Sequence, residues 1–158
     1  IILFFKYNFT KENVNPYRRD VCSVGKEPRY GFTDFVDACA KGNGLVLGGA
    51  MQTAERDFGF KTQDRVLSFI AEGGLEAPKH ANTTELRTAR DDVKPMVDSY
   101  DFFSGGDFGY IAFWKNDLSG KWIVKSFKKN DKQDPRNFAF REAFEKAVQG
   151  KKLKKRDE

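Results

Sequence analysis

The chain is poor in the residues that metal sites and many nucleophilic enzymes depend on. Its 158 residues include one histidine, His80, and two cysteines, Cys22 and Cys39. A single histidine cannot build a histidine-based metal cluster, nor the paired acid and base of some ribonucleases. The two cysteines are far apart and form no Cys-x-x-Cys, which excludes a disulfide framework and a cysteine zinc site. With only His80 on offer as a base, a cysteine hydrolase is also disfavoured. No metal and no cofactor is therefore expected. Long apolar runs are missing too. "IILFFKYNFT" has five apolar residues before Lys6, too few for a membrane span or a signal-peptide core. The expectation is a cytoplasmic protein, in a reduced setting and away from membranes.

Nucleotide fingerprints are likewise lacking. "GGDFG" and "GNGLVLGG" do not continue as a P-loop or a Rossmann turn, and no kinase catalytic loop accompanies the Asp-Phe-Gly triplet.

What the chain does have is phenylalanine and lysine. Sixteen Phe argue for a packed core, and the length suits one domain, here taken as residues 1–150. The net charge is +5. Much of that excess sits in "KKLKKRDE", where five of eight residues are cationic, so residues 151–158 read as a basic, mobile tail.

Along the chain, Ile1–Phe9 reads as a strand. Three short helices should follow. One is capped by Thr33 and stops near Gly42, one runs to Gly59, and one is capped by Thr62 and ends at Gly73. "APKHANTTELRTARDDVKP" is polar and without periodicity, a long connection of the kind that is often functional. Period-two alternation then marks "MVDSYDFF", "FGYIAFWK" and "KWIVKSFKK" as an antiparallel three-stranded meander. "DPRNFAFREAFEKAVQG" predicts a final helix, capped by Asp134 and ended by Gly150. Its apolar stripe is Phe140, Ala143, Phe144, Ala147 and Val148. The expected architecture is α+β, an antiparallel sheet packed against several short helices and an amphipathic C-terminal helix.

The third predicted strand is unusually basic. Strict alternation places Trp122, Val124, Ser126 and Lys128 on one face and Lys121, Ile123, Lys125, Phe127 and Lys129 on the other. Lysine can simply guard a sheet edge. Lysine interleaved with tryptophan and tyrosine can also neutralise phosphates and stack bases. Cleavage of RNA by its own 2′-hydroxyl needs only positioned cations and proton donors or acceptors, which lysine and tyrosine supply. Lys79, His80, Tyr110 and Lys128 are the candidate catalytic residues. Trp114, Lys121, Trp122, Lys125 and Lys129 are the candidate RNA contacts.

The order of "GAMQTAERDFGFKTQDRVLSFI", "APKHANTTEL", "FGYIAF" and "VKSFKK" resembles the RelE/HigB-like bacterial ribonuclease toxins, and among them the MqsR type, over roughly Tyr30 to Asn130. That resemblance implies a metal-independent endoribonuclease that acts on RNA and is neutralised by an antitoxin protein. It assigns the terminal-strand lysine to Lys128 and the strand tyrosine to Tyr110, with Lys79 standing by position for a second lysine. Two other readings use the same basic sheet. One is a nucleic-acid-binding module without catalysis; the other is a phage or mobile-element accessory or inhibitor protein that meets an acidic protein surface.

Overall fold

The computed structural model describes residue 25, residues 27–87 and residues 94–154. The expected N-terminal strand Ile1–Phe9, Cys22 and the last four residues lie outside them.

The first helix, α1 (Phe32–Ala40), starts one residue before Thr33; extended Gly31 precedes it and no side chain caps it. A short strand, β1 (Gly44–Val46), leads to α2 (Gly48–Phe58), which ends on left-handed Gly59 at φ 73°. In α3 (Gln63–Ala71) the Thr62 hydroxyl accepts from the Arg65 N–H, as the sequence predicts. Four strands follow: β2 (Glu76–Glu85), β3 (Met96–Ser104), β4 (Asp107–Lys115) and β5 (Trp122–Lys129). The last element is α4 (Arg136–Lys154).

The fold is α+β. Five strands form one sheet in the order β1-β5-β4-β3-β2, antiparallel except for β1, which runs parallel to β5. The sheet is therefore mixed, because "GLV" between glycines is long enough to pair with Trp122–Val124 yet too short to show a period. The polar connection expected from residue 77 onward is, through Glu85, the edge strand β2. An edge strand is solvated along one side, so it tolerates polar residues, and Pro78 falls in a register break between Glu76 and Lys79.

Helices α1–α3 cover one face of the sheet. Phe35 stacks on Phe113 with ring centroids 3.8 Å apart, and Tyr100 stacks on the same ring. Further along, Phe127 is ringed by Phe58, Phe60, Phe69 and Phe102. Burying each such ring contributes about 1.5–3 kcal/mol. Much of the phenylalanine noted in the sequence is spent here.

Two expectations about the ends of this body change. Gly150 does not stop α4, which continues to Lys154; a glycine within a helix costs only about 1 kcal/mol, too little to force a stop. The stripe of α4 is not buried on the sheet either, with Phe140 73% exposed. The apolar side of the sheet is already occupied by α1–α3.

Candidate functional site

The opposite face of the sheet is graded along the strands. At one end Leu86, Val97, Ala112, Trp114 and Ile123 form a small buried apolar cluster. Next comes a row in which the polar Asn82, Ser99 and Ser126 are paired across four strands with Ala112 of that cluster between the serines. The following row is charged: Lys79 pairs with Asp101, Asp101 with Tyr110, and Tyr110 with Lys128. The last row is aromatic, with Phe103 opposite Phe108.

Three residues singled out in the sequence, Lys79, Tyr110 and Lys128, thus fall in one row across the sheet, with Tyr110 beside Lys128 and Asp101 standing between Tyr110 and Lys79. The arrangement depends on a bulge. Ala112 pairs with Ser126 but Phe113 pairs with Val124, leaving Lys125 as an extra residue on β5. Strict alternation is therefore wrong for this strand. Phe127 joins Val124 and Trp122 in the core, and Lys128 turns to the open face beside Tyr110. The Lys128 ammonium lies 5.9 Å from the Tyr110 ring centroid.

Nor is β5 a free edge needing lysine as a guard. Beyond β1 its outer side is covered by α2, whose Thr53 hydroxyl donates to the Phe127 carbonyl at 2.7 Å. One turn later the Asp57 carboxylate accepts from the Lys129 N–H at 2.9 Å. The Arg56 guanidinium beside Asp57, and then that backbone N–H, hold its carboxyl below the usual carboxylate range.

Asp101 is the residue that sequence reasoning missed. Asn130 Nδ2 donates to it at 2.6 Å and Lys132 Nζ lies 3.0 Å away. Asn130 is the hub of the turn after β5: its Oδ1 accepts from the Lys132 N–H, and its own N–H donates to the Phe108 carbonyl. That turn folds Lys132 back over the row. A signal was present in "VDSYDFF", where Val97, Ser99, Asp101 and Phe103 alternate on one face with an acid in mid-strand.

Two clefts flank the Asp101–Lys132 pair. One, of about 320 Å³, is lined by Lys79, Asp101, Phe103, Phe108, Lys132 and Pro135, among others. The other, of about 370 Å³, lies over Tyr110, Ser126, Lys128 and Asn130. Lys128 pairs with Asp131 at its rim.

The remaining candidates fall elsewhere. His80 is on the helix-covered face, with Nε2 2.9 Å from the Thr83 hydroxyl and its ring edge-on to Tyr100. Trp122 and Trp114 are 6% and 8% exposed, leaving no ring face for a base to stack on. Lys121 immediately precedes β5, roughly 20 Å along the strand direction from Lys128. Lys129 is on the helix side and pairs with Asp107 at 3.2 Å. Among the described residues Lys79, Lys121 and Lys125 enter no ion pair. Cys39 is buried and its thiol is pushed up to about 12, so it holds no thiolate at neutral pH. Among the described residues no three His, Cys, Asp or Glu side chains gather as a metal site, and no helix is long and apolar enough to cross a membrane.

No family model, no curated protein and no solved structure matches this chain.

Proposed function

We propose that the charged row is a phosphodiester site and that the protein is a metal-independent, toxin-like endoribonuclease. The observation that carries this is the pairing of Lys79, Asp101, Tyr110 and Lys128 across four strands on an open face. A carboxylate and a phenol paired on adjacent strands, whose backbones run about 5 Å apart, and flanked by one cation on each side, match what in-line cleavage asks for. Asp101 takes the 2′-hydroxyl proton as the P–O2′ bond forms. Tyr110 gives a proton to O5′ as the P–O5′ bond breaks. Lys79, Lys128 and Lys132 face the phosphorane charge. Lys128 already holds Asp131, but that carboxylate is exposed and such a pair is worth only about 0–1 kcal/mol, so a phosphate can compete for Lys128; Lys132 stays beside the more buried Asp101. In the setting of the toxins the sequence resembles, a protein partner covering this face would act as the antitoxin.

The test is a mixed-sequence RNA incubated in EDTA with wild type, Lys128→Ala, Asp101→Asn and Tyr110→Phe. Wild type should leave 2′,3′-cyclic phosphate ends. Asp101→Asn and Tyr110→Phe should each slow cleavage about 10²–10⁴-fold, the size of a lost acid or base. Cleavage undiminished in all three variants would remove the row from the chemistry. RNA retained with steep salt dependence yet left intact would make the face a binding surface only.

A further inference from the structure

We infer that the cleft beside the charged row is a nucleobase pocket, which seats the base next to the phosphate held on Lys79 and Lys132. The inference rests on the reading of the row as a phosphodiester site. It replaces the buried tryptophans with the aromatic side chains that line open space.

Phe103 and Phe108 face each other in the row next to Lys79, Asp101 and Tyr110, two residues further along the strands, which is roughly 7 Å. Their centroids are 5.2 Å apart, the planes differ by 31°, and both rings are half-buried. With Pro135 they form the apolar walls of a cleft of about 320 Å³, near the lower end of the roughly 300–1,000 Å³ usual for small-molecule sites. That size suits one base or nucleoside. The cleft shares Lys79 and Asp101 with the row, and Lys132, folded over Asp101, with its surroundings, so a base inside it and a phosphate on the row belong to one connected site. Gln133 at its rim offers an amide donor and acceptor to a base edge.

The walls are held in place. The Arg136 guanidinium lies 4.2 Å over the Phe103 ring, donates to the Gly105 carbonyl at 2.7 Å, and is gripped by Asp134. Glu76, the register partner of Phe103, accepts from the Gly105 N–H. An apolar pair held this way on an otherwise charged stretch of sheet has the form of a stacking platform, where each stacked base strengthens binding about 5- to 150-fold.

The experiment uses the full chain and a short single-stranded RNA made uncleavable by 2′-O-methylation, with 2-aminopurine placed at each position in turn. One position should lose fluorescence on binding. An abasic residue at that position should weaken binding roughly 5- to 150-fold, and Phe103→Leu and Phe108→Leu should do the same while abolishing the fluorescence change. Lys128→Ala should weaken binding but keep the positional contrast. Binding that needs Lys128 yet ignores the abasic residue and both Phe variants would overturn the pocket and leave the row standing. Absence of RNA binding, or binding indifferent to Lys79 and Lys128, would overturn both. If either Phe variant fails to fold by circular dichroism, the abasic comparison on the wild type decides alone.

Discussion

At the scale of single residues, Gly109 and Asn130 show how the core and the site share parts. Gly109 pairs with Phe102, and a Cβ built on it would overlap the Phe102 ring, which is fully buried. Its carbonyl also accepts from Asn130 Nδ2, the same group that holds Asp101. Gly109→Ala must therefore displace either an aromatic core residue or the strand that carries Tyr110. It should cost about 1–3 kcal/mol in urea denaturation, and it should slow RNA cleavage as well. A variant as stable as the wild type would show that the ring moves aside freely. In the sequence this glycine is merely a weak spot in "FGYIAFWK". Its reason is a residue seven positions away, brought opposite by register, which no single-strand pattern reveals. Asp101 was hidden for a similar cause: alternation shows which way it points, but only pairing shows that Lys79 and Tyr110 stand beside it.

At the scale of elements, the decisive device is the cover that α2 gives to β5. Thr53 and Asp57 are one helical turn apart, so they fall on one face and satisfy two outward backbone groups of the strand that presents Lys128. Thr53→Val keeps the shape and removes the hydroxyl, and should cost about 0.5–1.5 kcal/mol. Asp57 adds a pH dependence whose sign is set by its lowered pKa. Because the folded carboxyl titrates below the unfolded one, its stabilisation is present above the ordinary aspartate value of about 3.9 and lost as pH falls through the depressed folded value. Thermal melts of Asp57→Asn and wild type should therefore differ most near neutral pH and converge as pH falls through the depressed folded value. A gap that stays constant would mean that the charge of Asp57 is idle. The α+β class was legible in the sequence because α2 and α3 carry their stop and cap in the local residues Gly59 and Thr62. Strands β1 and β2 were not. The first is three residues long, and the second is an edge whose polar composition reflects one solvated side. The faces of β5 were misread because a bulge is a property of two strands, and its position is invisible in one.

At the scale of the whole molecule, the question is where the positive charge acts. The chain carries 28 Lys and Arg against 23 Asp and Glu, and the last eight residues alone hold five cations and two carboxylates. Most of the +5 net charge is thus remote in sequence from the row, whose lysines 128 and 132 face aspartates. Two kinds of nucleic-acid affinity are then separable. A tail that attracts polyanions raises affinity without placing a phosphate, whereas the row places one. For single-stranded RNA each neutralised phosphate contributes about −0.7 to the slope of log K against log salt. If Lys79, Lys128 and Lys132 each meet a phosphate, the row accounts for a slope of about −2. Truncation after Gly150 should flatten the total slope but leave the cleavage rate of saturated enzyme unchanged. Lys79→Ala or Lys128→Ala should flatten it by about 0.7 each and cut the saturated rate. Titrations over salt with these three proteins, paired with single-turnover cleavage, separate the two contributions. A truncation that abolished cleavage at saturation, with the row intact, would move the chemistry from the sheet face to the C-terminal residues.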